Sequence, residues 1–150
     1  IAPIKEYLEC GIPVAIGTDG PASNNCLDMF REMFLVTGLA KLKNMDASSV
    51  DAMEVLKMAT VNGAHAMGLS NSDYLAEGKL ADIIMIDLQK PNMQPINNIE
   101  KNLVYSGSKS NVLMTMIGGI IRYENGKFNI GVEPCELYEK AEEIKARLYD

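Results

Sequence analysis

The sequence is poor in the side chains that build soft metal sites. It holds one histidine, His65, and three cysteines, Cys10, Cys26 and Cys135, at unrelated spacings with no CxxC pair. Neither a zinc ribbon nor a redox dithiol is suggested. No histidine shares a local motif with Cys26, so a cysteine nucleophile with its own base is not expected there. No phosphate loop and no serine nucleophile elbow is present. No apolar run approaches the ~20 residues of a membrane span. With no secretory signal at the front, the reducing cytoplasm is the expected compartment. The net charge is -6, from 14 Lys+Arg against 20 Asp+Glu, and no basic cluster occurs. Neither a nucleic acid nor an anionic membrane is therefore an expected partner.

What is present is the balance of a soluble globular chain, 47% hydrophobic and 23% charged over 150 residues. The length allows a domain with a real core. It falls short of a complete catalytic barrel of about 200 to 250 residues. The chain opens Ile1-Ala2-Pro3-Ile4, without Met and already inside an amphipathic pattern, which predicts a piece of a longer protein. The ten methionines are scattered, as core filler is.

Ile4, Tyr7 and Leu8 share a helical face, and Gly11 and Pro13 end that helix. Pro13 to Thr18 is then a short apolar run ending in polar residues, the pattern of a parallel strand covered on both faces. A loop over residues 20 to 26 leads to a helix from about Leu27 to Lys43, with Leu27, Phe30, Met33, Phe34 and Thr37 at helical spacing. A further helix is predicted over Asp51 to Ala59, with Asp51 and Glu54 spaced as a capping box. Thr60 is placed to cap a short helix through Met67. Beyond Gly78 the period changes to that of strands: residues 82 to 87, Leu103 to Tyr105, Val112 to Ile117 and Ile120 to Glu124. Turns are expected at Gly118-Gly119 and Asn125-Gly126. The tail from Pro134 to Asp150 reads as a charged helix with Leu137, Ala141, Ile144 and Leu148 on one side.

Gly17-Thr18-Asp19-Gly20 is the sharpest chemical feature. A carboxylate at the carboxyl end of a buried parallel strand stands where barrel enzymes keep catalytic groups. There it can bind a metal, orient a water or carry a proton. It can equally cap its own loop, and the residues alone leave both readings open. Ser23 and Asn24, just past it, are candidates for contacting a polar substrate or for closing the loop on itself. His65, with no second histidine, is not expected to be a ligand.

The run Val14 to Asn25, followed by Leu27-Asp28-Met29, resembles the last barrel strand and loop of the amidohydrolase superfamily. It is closest to the branch of 5-methylthioadenosine/S-adenosylhomocysteine deaminases and chlorohydrolases. Met58-Ala59-Thr60-Val61-Asn62-Gly63-Ala64, Glu77 to Ile84 and the final hairpin with Asn125-Gly126 agree in order. The resemblance implies an α/β plus β chain. Residues 1–77 would be the last helix–strand–helix portion of a metal-dependent (β/α)8 barrel. Residues 78–132 would be the C-terminal strands of a small β-sandwich, and 133–150 a terminal helix.

For the full-length parent, the resemblance implies one divalent metal, zinc or iron, and a water attacking an aminated or halogenated ring carbon. Asp19 would be both metal ligand and proton shuttle, and the parent would act on a small-molecule substrate. The family's H-x-H pair, later histidine and catalytic glutamate would lie upstream of Ile1. The piece alone is accordingly expected to bind no metal, to be inactive, and to associate with copies of itself. The alternative is a non-catalytic pseudoenzyme or interaction module with an amidohydrolase-like tail.

Overall fold

A computed structural model describes residues 1–149. In chain order these form α1 (Ile4–Glu9), α2 (Met29–Asn44), α3 (Ala52–Ala59), α4 (Val61–Ala66) and β1 (Ile83–Ile86). Then follow α5 (Ile99–Ser106), β2 (Val112–Ile117), β3 (Ile120–Glu124), β4 (Lys127–Phe128) and α6 (Pro134–Tyr149). The expected end of the tail helix, Asp150, lies outside the described residues.

Helix starts follow capping chemistry. The Asp28 carboxylate accepts from Phe30 N at 3.0 Å and thereby becomes the N-cap of α2, which begins at Met29 and not at Leu27. Asp51 caps α3 by accepting from Met53 N at 2.9 Å. The reciprocal half of the expected capping box is not seen, because Glu54 reaches forward to Lys57 Nζ at 2.7 Å. The Thr60 hydroxyl does not cap α4. It donates to Leu56 O at 2.7 Å, back into the preceding helix.

The core is helical. Phe30, Met33 and Ala40 of α2 meet Val50, Ala52, Val55 and Met58 around α3 and Val104 of α5. Val55, Met58 and Val104 are fully buried. Such side chains contribute about 1.5–3 kcal/mol each. Phe34 and Leu27, placed on the same stripe by spacing, remain about half exposed.

Two predicted strands are corrected. Leu103 to Tyr105 is not a strand but the centre of α5. Asn98 caps that helix by accepting from Lys101 N at 2.8 Å, and burial of Val104 against α2 and α3 holds it there. A three-residue apolar run carries no period of its own, so the cap and the packing decide. The helix stops at Gly107, where a Cβ would stand 2.4 Å from Leu103 O and 2.7 Å from Phe30 Cδ1.

The second correction concerns residues 13 to 18. The run is irregular in hydrogen bonding and pairs with no strand among the described residues. Its burial alternates: Val14, Ile16 and Thr18 are half-buried while Pro13, Ala15 and Gly17 are exposed. One face therefore rests on the helical core, and the other is uncovered. Two contacts hold it: Ile16 N donates to Met58 O at 3.1 Å, and Asn62 Nδ2 donates to Val14 O at 2.9 Å.

The remaining strands form one antiparallel sheet in the order β1-β2-β3-β4. Ile84 stands opposite Thr115, and Met114 opposite Glu124. Both expected turns are present. Gly118 and Gly119 have φ of 56° and 80°, Asn125 and Gly126 of 48° and 86°, the paired left-handed residues that match a hairpin's twist. Helix α6 buries none of its residues, and its expected apolar side, with Leu137, Ile144 and Leu148, is exposed.

Candidate active-site loop

The extended run that rests on α3 and α4 delivers Asp19 to its exposed end. Asp19 itself has φ 58°, in the left-handed region that few non-glycine residues occupy. Aspartate tolerates this conformation because its short carboxylate bonds locally. Here Gly20 N donates to Asp19 Oδ1 at 2.7 Å, and Thr18 Oγ1 donates to Asp19 O at 3.2 Å. The Ser23 hydroxyl and the Gly20 amide hold the Asp19 carboxyl below the usual carboxylate range, so it is ionised at neutral pH.

The loop is then folded around Gly20 O, which accepts from Ser23 N at 3.1 Å and Asn24 N at 2.8 Å. Ser23 is exposed and stands beside the carboxylate. Asn24 points the other way. Its Nδ2 donates to Thr18 O at 2.9 Å and to Glu32 Oε1 on α2 at 2.7 Å, and its Oδ1 accepts from Cys26 N at 3.1 Å. The structure thus brings Asp19 and Ser23 together on the open side of the loop, with Asn24 inside it.

His65 belongs to a different cluster. Its Nε2 lies 2.8 Å from Asp73 Oδ2, and Lys79 Nζ donates to Asp73 Oδ1 at 2.7 Å and to Ser70 O at 2.6 Å. The Lys79 ammonium, and the His65 contact after it, outweigh the burial of the Asp73 carboxyl and lower its pKa from the ordinary 3.8 to about 2. This cluster ties α4 to the segment entering β1. An open cleft of about 680 Å³ adjoins it, lined by Val61, Leu75, Ile83, Ile84 and Met116 among others, and its lining includes none of Asp19, Ser23 and Asn24.

Glu32 and the Asp73–Lys79 pair are the polar partners that spacing did not reveal. Glu32 meets Asn24 across eight positions and a loop, where no periodic signal operates. Lys79 stood in a recognised motif, but its partner lay in a segment without pattern.

A family model described as the amidohydrolase family matches residues 1–122, and the chain belongs to that family. It is 50% identical over 127 residues to the 5-methylthioadenosine/S-adenosylhomocysteine deaminase of Desulfovibrio desulfuricans, covering 85% of this chain and 29% of the relative. It is 43% identical over 139 residues to the 5'-deoxyadenosine deaminase of Methanosphaera stadtmanae, covering 93% and 32%. Among solved structures, an adenosine deaminase from Xanthomonas campestris with bound zinc superposes with a TM-score of 0.92 at 32% identity, over 98% of this chain and 34% of that one. The atrazine chlorohydrolase TrzN from Arthrobacter aurescens, complexed with zinc, gives 0.78 at 26% identity, over 95% and 32%. The chain therefore spans about a third or less of the length of these relatives.

The ionised, exposed Asp19 carboxylate is a fitting single oxygen ligand for a divalent cation such as zinc. Among the described residues, no group of three or more His, Cys, Asp or Glu side chains could hold a metal ion.

Proposed function

We propose that the chain is the C-terminal part of a metal-dependent aminohydrolase that deaminates an adenosine-type nucleoside. In this reading residues 1–77 complete a (β/α)8 barrel, 78–132 complete a small β-sandwich, and 133–150 form a terminal helix. The observation that carries it is the conformation of Asp19. An ionised carboxylate held in a left-handed backbone at the exposed end of an extended run is strain of the kind that clusters at functional sites. The names of the relatives supply the substrate class: 5-methylthioadenosine, S-adenosylhomocysteine or 5'-deoxyadenosine.

A divalent ion, zinc or iron, supplies polarisation of a water when bound. Asp19 provides one oxygen ligand and the negative charge that retains the cation. The same carboxylate accepts the water's proton and returns it to the departing amine, so the ring carbon gains oxygen and ammonia leaves. Ser23, exposed beside Asp19, is the substrate-binding hydroxyl of the loop. Asn24, the other candidate for substrate contact, has its side chain turned into the loop. Histidine ligands and the ring-protonating acid come from upstream sequence. The whole protein is a cytoplasmic homo-oligomer acting on a small molecule, with no nucleic-acid or membrane partner.

The test compares the 150-residue chain with the longer natural protein that contains it. Both are loaded with zinc or iron and offered methylthioadenosine, S-adenosylhomocysteine and 5'-deoxyadenosine. Ammonia release by the longer protein alone is expected. Metal-dependent turnover by the chain alone would overturn the assignment, because one carboxylate cannot make a site of three or four ligands.

A further inference from the structure

The peptide on each side of Asp19 is pinned. The preceding plane, Thr18 C=O to Asp19 N–H, is gripped at its oxygen by Asn24 Nδ2 at 2.9 Å. The following plane is fixed by Thr18 Oγ1 on Asp19 O at 3.2 Å, and the Gly20 amide closes on Asp19 Oδ1 at 2.7 Å. Rotation about φ of Asp19 swings the first plane against the second. The Asn24 contact pins the first plane from outside the dipeptide, and with the Thr18 and Gly20 bonds it holds φ at 58° against the return to an ordinary backbone.

Asn24 is in turn oriented from outside the loop. Glu32, in the first turn of α2, takes the other proton of the same amide nitrogen at 2.7 Å. Cys26 N–H fixes the amide's oxygen end at 3.1 Å, which settles which end faces Thr18. A carboxylate acceptor makes the Glu32–Asn24 bond charge-assisted, roughly twice as strong as a neutral one. Helix α2 carries this acceptor on a rigid frame, since its N-cap Asp28 and buried Phe30 and Met33 anchor the same turn.

We propose that Glu32 and Asn24 are positioning residues which, through the Thr18 carbonyl, hold the Asp19 carboxylate in its working orientation. The proposal rests on the deaminase reading of Asp19 and assigns Asn24 to geometry, not to substrate contact. The two roles differ in what they move. A substrate-contacting Asn24 affects KM first. A positioning Asn24 affects kcat and metal affinity, and leaves KM nearly unchanged.

The experiment uses the full-length protein with Asn24→Ala, Glu32→Ala and Glu32→Gln, and Asp19→Asn as reference. Zinc affinity of the metal-free protein, kcat and KM are measured. Hydrogen exchange of the peptide spanning residues 17 to 24 is followed in the metal-free state. Asn24→Ala is expected to lose about 10–100-fold in zinc affinity or kcat, the range for partners that orient a ligand, with KM within about threefold. Its loop amides should exchange faster without metal. Glu32→Ala should show a smaller loss of the same kind, and Glu32→Gln, which keeps an oxygen acceptor, should recover most of it. If Asn24→Ala does not fold, the Glu32 pair carries the test. A rise in KM with kcat and zinc affinity kept, or Glu32→Gln no better than Glu32→Ala, would overturn the clamp. A large loss in Asp19→Asn with none in the Asn24 and Glu32 variants sinks the clamp alone. No loss in Asp19→Asn sinks the deaminase reading beneath it.

Discussion

Lys79 Nζ donates to Asp73 Oδ1 at 2.7 Å, an ion pair within the segment that leads from α4 into β1. Lys79 also lies 4.2 Å from the Tyr74 ring centroid, so one cation serves a carboxylate and an aromatic face. Asp73 is buried, and His65 occupies its second oxygen at 2.8 Å. Through His65 the cluster ties helix α4 to the segment that leads into β1.

Acid should loosen this joint in a defined window. Asp73 titrates near pH 2 when folded against an ordinary 3.8, so the unfolded chain takes up its proton first as pH falls. The stabilisation is fully present above about pH 4 and is lost as pH falls through the folded value. Melting temperatures of the parent and of Asp73→Asn, recorded from pH 6 to pH 2, should differ most at the upper end and converge at the lower. A constant gap across that range would show that the carboxylate's charge is not what the cluster uses.

Association of the isolated chain is a second expected outcome. Ile84 and Met85 of edge strand β1 are more than half exposed, and so are Ile117 at the hairpin and Phe34 on α2. Edge strands with apolar side chains and exposed patches beyond a few hundred Å² favour self-pairing. Light scattering on the 150-residue chain should give a mass above the 16.4 kDa of one copy, rising with concentration. A stable monomer at high concentration would contradict this.

Sequence patterns exposed some of this architecture and hid the rest for physical reasons. The helices around Phe30 and Val55 were legible because their buried positions recur at the helical period. The hairpin turns were legible because Gly118-Gly119 and Asn125-Gly126 take left-handed angles that few pairs tolerate. α5 was missed because its decisive feature, Asn98 as cap, stands apart from a short apolar run. Continuous hydrophobicity at 13 to 18 predicts cover on both faces but does not say what supplies it; here one face lies on α3 and α4. Of the candidate site, Asp19 and its loop were visible as a motif. The Glu32–Asn24–Thr18 chain was not, since it is made by tertiary approach of α2 to a loop.

The most direct measurement is turnover and metal content of Asp19→Asn in the full-length protein, beside the unchanged enzyme, with melting temperature as the folding control. Asparagine keeps the size and one oxygen but loses the charge that holds the cation, and it cannot accept the water's proton. The account predicts a folded protein whose turnover falls by about 10²–10⁴-fold, the worth of a positioned acid/base, with less metal retained. A loop-capping aspartate would instead lose about 1 kcal/mol or less of stability and keep its activity. A folded Asp19→Asn protein retaining more than about a tenth of the parental rate falls outside the acid/base range and would contradict the assignment of Asp19 as the catalytic carboxylate.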